Sequence, residues 1–152
     1  MKTENAIEVF NSLITINNDR IEGYETASKE TDDLDLKTLF GQFISTSQKC
    51  KQELVMEVNT LGYKETEGTK VTGKFFRVWM DVKAALTGKD RKAILDSCEY
   101  GEDEALDTYD KAIENDFEDL SAEHQTMIIA QRSLLKADHD LVKSLRDGLV
   151  DA

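Results

Sequence analysis

The 152-residue chain contains no proline and only 8 glycines. Proline interrupts α-helices, because it lacks a backbone N–H group and its ring clashes with the preceding turn. A chain without it can form long continuous helices, whereas a turn-rich β-sandwich is disfavoured. The length suits one domain with a sizeable hydrophobic core. We therefore predict a single all-α domain over residues 1–152.

The charge of the chain limits its partners. It has 31 acidic residues against 19 Lys and Arg, which gives a formal net charge of −12. Nucleic acids and anionic membranes select for basic faces, so we expect neither as a partner. The first residues lack the apolar core of a signal peptide, and no run approaches the roughly 20 apolar residues of a membrane span. Two cysteines without CxxC or zinc-type spacing agree with a reduced state. We expect a cytoplasmic protein.

Apolar residues recur at helical spacing in four long segments. The first two helices are predicted at about residues 5–29 and 36–61, separated by polar residues 31–33. The third is predicted at about 91–114, and Ser121 is expected to cap the fourth. Because short turns join the helices of each pair, the first and second should form one antiparallel hairpin and the third and fourth another.

The connection between the two hairpins is much longer. Residues 63–90 separate the second helix from the third, whereas helices in bundles are usually joined by about 2–8 residues. Within this connector, residues 74–87 have a short helical pattern that includes Trp79. A helix of about 30 residues is about 45 Å long, so such a connector can return along the bundle. We predict a ferritin-like four-helix bundle, in which a long crossover with a short extra helix joins two helical hairpins.

Polar side chains interrupt the apolar stripes near the middle of the four helices. One occurs in each helix where an apolar residue is expected: Asn17, Glu53, Glu102 and Gln131. In the fourth helix, Asp138 also interrupts the stripe, and His139 follows it. Buried carboxylates are costly unless they are protonated, hydrogen-bonded or bound to a cation. We expect the four residues to meet in one layer, with Asp138 or His139 as outer support.

Three interpretations of this layer remain open. In the first, carboxylate and amide oxygens form a metal site that suits iron or manganese. In the second, the layer is held by hydrogen bonds and fixes the register of the helices. In the third, Glu53 lies at a helix edge and is solvated.

Three short motifs lie in the first helix, the crossover and the third helix: Ile21–Tyr24, Phe75–Asp81 and Cys98–Asp103. Together they resemble a family of small bacterial four-helix-bundle proteins without an established activity, which is grouped with the ferritin and rubrerythrin class. The resemblance covers nearly the whole chain and implies a ferritin-like fold.

The resemblance also implies which residues correspond to the ferritin-class di-iron ligands. Those are a Glu on helix one, Glu-x-x-His on helix two, a Glu on helix three, and Glu-x-x-His or a Gln on helix four. Glu53, Glu102 and Gln131 match three of them. Asn17 stands in place of the first Glu, and Met56 in place of the helix-two His. The set of ligands for two metal ions is therefore incomplete, and at best one metal ion is retained.

We expect a non-enzymatic, homo-oligomeric stress or interaction protein with a degenerate polar or metal layer in its core. The oligomer would form through the region around Trp79 or through an acidic face. The alternative is an iron- or manganese-binding ferritin-like protein with redox or storage activity. Stoichiometric metal in protein purified without chelator would favour the alternative.

Overall fold

The computed structural model describes residues 2–65 and 91–150. Four helices account for most of these residues: α1 (Lys2–Glu30), α2 (Leu34–Thr60), α3 (Arg91–Asp116) and α4 (Ala122–Val150), with a 3-10 turn at Phe117–Asp119. The described ranges contain no β-strand, so the all-α prediction is confirmed for them. No helix in this part of the chain is long and apolar enough to cross a membrane.

Polar side chains and one glycine mark the helix ends. Asp33 caps α2, because its carboxylate accepts hydrogen bonds from two backbone N–H groups of the first turn at 2.9 and 3.2 Å. Ser121 precedes α4 and accepts one from the N–H group of His124 at 3.1 Å, as predicted. Gly62 follows α2 with φ at 88°, a left-handed conformation that glycine adopts without strain.

Contacts between helix ends define the directions of the helices. Asn5, near the start of α1, donates hydrogen bonds to Asp116, the last residue of α3, and to Asp119 in the 3-10 turn that follows, so α1 and α3 are antiparallel. Arg91, the first residue of α3, pairs with Asp33 just before α2 at 3.0 Å. Therefore α2 and α3 begin at the same end of the bundle and run parallel.

Each helix packs on two neighbours. α1 contacts α2 and α3, and α4 contacts α3 and α2. The consecutive helices α2 and α3 are not among the packed pairs, so they occupy diagonal positions. Since they are also parallel, α2 ends and α3 begins at opposite ends of the bundle, which is consistent with a long connection between the hairpins. The predicted crossover helix at 74–87 lies outside the described residues.

Within residues 2–65 and 91–150 the core consists of two apolar clusters. One is built around residues such as Phe10, Leu54 and Ile128, and the other around Phe43 and Leu95. In α1 they are separated by four consecutive buried polar residues, which are Asn17, Asn18, Asp19 and Arg20. The apolar stripes therefore place a buried polar region near the middle of the bundle.

The two roles of Asp33 provide a test of this arrangement. Asp33→Ala removes both the cap of α2 and the ion pair to Arg91, and we expect it to lower the free energy of unfolding by about 1–2 kcal/mol. Asp33→Asn keeps a side-chain oxygen that can cap the helix, so its effect should be smaller. Urea unfolding followed by circular dichroism measures both, and equal losses would contradict a capping role.

Candidate functional site

The central polar residues form two clusters. The first, which we name the amide cluster, contains Asn17, Glu53, Tyr109 and Gln131. The second, which we name the arginine cluster, contains Arg20, Tyr24, Ser47, Glu102 and Asp138. The structure thus links three of the four predicted layer residues by hydrogen bonds, whereas Glu102 has different partners.

A directed chain of hydrogen bonds crosses the bundle in the amide cluster. Nδ2 of Asn17 donates to the Tyr109 hydroxyl at 2.9 Å, and that hydroxyl donates to Oε1 of Gln131 at 2.7 Å. Nε2 of Gln131 then donates to Oε1 of Glu53 at 3.1 Å and to the Cys50 carbonyl at 3.2 Å. Because these residues come from all four helices, the chain ties α1, α3, α4 and α2 together.

Burial keeps the Tyr109 hydroxyl and the neighbouring Cys50 thiol protonated. Asn17, Tyr109 and Gln131 are fully buried, whereas Glu53 is half-buried at the edge of the bundle. Removal from water raises the pKa of Tyr109 well above its ordinary value, so its hydroxyl stays a donor. Burial likewise raises the pKa of the Cys50 thiol to about 11. Hydrogen bonds therefore engage Tyr109 and both amide atoms of Gln131, whereas Oδ1 of Asn17 is buried without a hydrogen-bond partner in the described part of the chain.

The arginine cluster is built around a buried cation. Arg20 is 1% exposed and Glu102 is 0% exposed. Nη2 of Arg20 donates to both carboxylate oxygens of Glu102, at 2.7 and 2.9 Å. Nη1 donates to Oγ of Ser47 at 2.5 Å, and Oδ2 of Asp138 lies 3.4 Å from Nη2. The guanidinium group is thus in contact with α2, α3 and α4.

Electrostatics keep Arg20 charged despite its burial. Desolvation is the largest single influence and lowers the pKa of Arg20. The charge of Glu102, the hydrogen bond that it accepts from Arg20, and the neighbouring Tyr24 and Asp138 together outweigh desolvation, so the pKa lies above its ordinary value. Tyr24 donates its hydroxyl to Oε1 of Glu102 at 2.6 Å, and burial raises the pKa of this tyrosine. Burial also raises the pKa of Asp138, which the charge of Arg20 opposes. The charge of Glu102 is therefore balanced within the protein.

Two predicted residues lie away from these clusters. Met56, which stands where the ferritin class has a histidine, is 68% exposed. His139 lies on the α3–α4 surface beside Asp103, and only its neighbour Asp138 reaches Arg20. Asp138 therefore belongs to the arginine cluster, and the outer supporting role expected for Asp138 or His139 stays a prediction.

Arg20 and Tyr109 were not predicted as site residues from the sequence. Arginine is almost never fully buried unless it is paired, and a tyrosine in an apolar stripe is taken as a packing residue. A signal for Arg20 was present, because Leu13, Arg20 and Ala27 recur at steps of seven and all three are buried. That interval places residues on the same face of a helix.

The described residues do not fit a two-metal centre of the ferritin type. Both oxygens of Glu102 are engaged by Arg20, whose positive charge repels a metal ion. The side-chain oxygen of Gln131 accepts a hydrogen bond from Tyr109. Met56 faces outward, and Asn17 brings no negative charge. Iron and manganese prefer negatively charged or imidazole ligands in an open site, which these residues do not supply together.

Together, the helices and clusters define an all-helical bundle protein whose centre is held by a buried Arg–Glu pair. Residues 5–115 match the family described as domain of unknown function DUF2383, and the chain belongs to this family. The matched range includes Asn17, Arg20 and Glu102, whereas Gln131 and Asp138 in α4 lie beyond it. No curated protein matches the sequence at a significant level.

The Arg20–Glu102 pair can be tested by a double-mutant cycle. Arg20→Met leaves the buried Glu102 without its cation, and Glu102→Gln leaves the buried guanidinium group without its carboxylate. We expect Arg20→Met to lower the free energy of unfolding by about 3–5 kcal/mol. The double variant should lose clearly less than the sum of the single losses, because neither uncompensated group remains. Urea unfolding measures the coupling. Additive losses would show that the two side chains do not act as a pair.

The amide cluster gives a separate prediction. Tyr109→Phe removes the hydroxyl that links Asn17 to Gln131 and leaves buried amide atoms unsatisfied, so we expect a loss of about 1–3 kcal/mol. Tyr100→Phe is the matched control, since Tyr100 is 50% exposed and its hydroxyl should contribute little. Thermal or urea unfolding compares the two variants. Similar effects at both positions would refute a linking role for Tyr109.

Proposed function

We propose that this protein is a non-enzymatic bundle of the ferritin-like class, and that it acts as a homo-oligomeric stress or interaction protein. The observation that carries the proposal is the contact of Arg20 with both carboxylate oxygens of Glu102 in a fully buried position. In this interpretation the protein's own cation takes the role that a metal ion has in metal-binding members of the class.

The helix directions support the ferritin-like assignment. α1 is antiparallel to α3, and α2 is parallel to α3 but diagonal to it. A four-helix bundle with one long crossover between its second and third helices has this arrangement, whereas a simple up-down-up-down bundle does not. The resemblance to bacterial proteins of this class agrees with it and remains a prediction.

The chemistry of the arginine cluster supports a structural role. A guanidinium group has only donors, cannot change its oxidation state and leaves no coordination position for a substrate. Buried ion pairs contribute little net stability compared with apolar residues. Their best-attested benefit is to specify one arrangement of helices, because a shifted register leaves charges unpaired. The cluster therefore favours a bundle that presents a fixed outer surface.

The outer surface and the cysteines agree with this role. α4 carries four exposed apolar side chains, which are Ile129, Leu134, Leu145 and Leu149. Leu145 and Leu149 are four residues apart and lie on one face of the helix, which a second copy of the chain would cover in the proposed oligomer. Cys50 and Cys98 are free and buried. Burial raises the pKa of both thiols, which fits unreactive cysteines in the reducing cytoplasm.

Metal analysis combined with light scattering tests the proposal. Protein purified without chelator is analysed for iron and manganese and passed over a size-exclusion column with multi-angle light scattering. We expect a stable oligomer. We also expect that the residues of the two central clusters bind neither iron nor manganese at one ion per chain. Glu53→Gln and Glu102→Gln probe that dependence, and Glu114→Gln, at an exposed position of α3, is the control.

Two outcomes would overturn it. Iron or manganese at one or more ions per chain that is lost in Glu53→Gln but kept in Glu114→Gln would establish the alternative, a metal-binding protein with redox or storage activity. A chain that stays monomeric at all concentrations would rule out the homo-oligomeric role.

A further inference from the structure

A histidine and two carboxylates meet on the surface between α3 and α4, apart from the central clusters. One ligand atom each from Glu99, Asp103 and His139 lies within 4.8 Å of the other two. Nε2 of His139 is 2.7 Å from Oδ1 of Asp103 and 3.8 Å from Oε1 of Glu99. These separations are short enough for one ion to contact all three atoms after small side-chain rotations.

The helices hold these ligands in place. Glu99 and Asp103 are four residues apart in α3 and so lie on one face, one turn from each other. α4 packs on α3 and brings His139 to that face. The side chains of Glu99 and His139 are 15% and 12% exposed, whereas Asp103 is 56% exposed. The group thus has two largely buried ligands on its inner side and one exposed ligand on the side from which an ion can enter.

The imidazole ring of His139 is oriented by its other nitrogen. Nδ1 lies 3.1 Å from Oδ1 of Asp140, to which it can donate its hydrogen. Nε2 is the nitrogen that faces Glu99 and Asp103, and at 2.7 Å from Oδ1 of Asp103 it is placed to donate a hydrogen bond. An ion bound at Nε2 would replace that hydrogen, and Nδ1 would keep the other one for Asp140. A carboxylate that accepts a hydrogen bond from the second nitrogen of a histidine is the usual outer partner of a metal-binding imidazole.

The neighbouring charges leave the ligand atoms accessible. Arg146 pairs with Oε2 of Glu99, and it also contacts Asp96 at 3.4 Å and Asp147 at 3.1 Å. Oε1 of Glu99 is the oxygen that faces His139. The positive charge of Arg146 is therefore shared among three carboxylates, and the net charge of −12 on the whole chain favours approach of a cation.

We propose that Glu99, Asp103 and His139 form a surface site for a divalent transition-metal ion of the Zn²⁺ type. One imidazole and two carboxylates are common Zn²⁺ ligands, and water completes a four-coordinate site at the open side. The ion joins α3 to α4. This proposed metal site does not depend on the proposed function, because it shares no residue with the amide cluster or the arginine cluster.

Titration of the full chain with Zn²⁺ and Co²⁺ tests the site. We expect one Zn²⁺ per chain by calorimetry, a visible absorption band of low-symmetry Co²⁺, and a higher melting temperature with Zn²⁺, because the ion binds the folded state. His139→Gln and Asp103→Asn should each weaken binding at least about tenfold and abolish the shift in melting temperature. Asp103→Asn, at an exposed position, keeps the test valid if His139→Gln does not fold.

His124→Gln is the matched control. His124 pairs with Glu57 at 2.9 Å, but in the described part of the chain it does not belong to a three-ligand group. This variant should bind Zn²⁺ as the unaltered chain does. The proposal is wrong if the chain binds no Zn²⁺ at one equivalent, if His139→Gln and Asp103→Asn bind as tightly as the unaltered chain, or if His124→Gln loses binding to the same extent.

Discussion

Burying a guanidinium group requires compensation from several directions, because removing a cation from water costs several kcal/mol even after the protein relaxes. Arg20 obtains this compensation from α2, α3 and α4, through Ser47, Glu102 and Asp138. Sliding α1 by one turn would move its charge about 5.4 Å, away from all three partners. Arg20 therefore constrains the position of α1 along its neighbours more sharply than apolar packing alone does.

The amide cluster adds a constraint of a different kind. Its hydrogen bonds run in one direction, from Asn17 through Tyr109 and Gln131 to Glu53. Reversing one amide group would place two donors or two acceptors against each other. The half-buried carboxylate of Glu53 ends the chain as an acceptor that water can also reach. The arginine cluster and the amide cluster thus favour one and the same arrangement of the four helices, and an apolar cluster lies on either side of them.

The sequence predicted the helices and the buried polar positions better than it predicted the contacts among them. Periodic apolar residues were enough to bound α1 to α4 within about three residues, because helix formation depends on local pattern. Asn17, Glu102 and Gln131 are fully buried as expected. Which of them meet depends on the rotation and axial position of each helix, and a stripe several residues wide fixes neither.

Arg20 and Tyr109 are individual residues whose contacts could not be predicted from the sequence. An arginine within a helix most often extends its charge to water, and only the presence of Glu102 on another helix makes burial favourable. Tyr109 counts as apolar in a stripe, yet its hydroxyl links two helices. In both cases the decisive partner is distant in sequence, by 82 residues for Arg20 and Glu102. Glu53, which has no cation beside it among the described contacts, remained at the edge of the bundle.

A guanidinium group and a metal ion can each compensate the negative charge of a buried carboxylate, but they differ in their chemistry. A metal ion can dissociate, change oxidation state and accept a further ligand, so a bundle that depends on one can respond to its surroundings. Arg20 is covalently part of α1 and stays charged, so the Glu102 carboxylate is compensated whenever the bundle is folded. Any response to metal ions is then left to the outer surface, where His139 and its carboxylate neighbours are open to solvent on one side. The stability of the centre depends on the guanidinium cation of Arg20, whereas the proposed surface site would bind a metal ion that can dissociate. Loss of that metal ion would therefore leave the central ion pair intact.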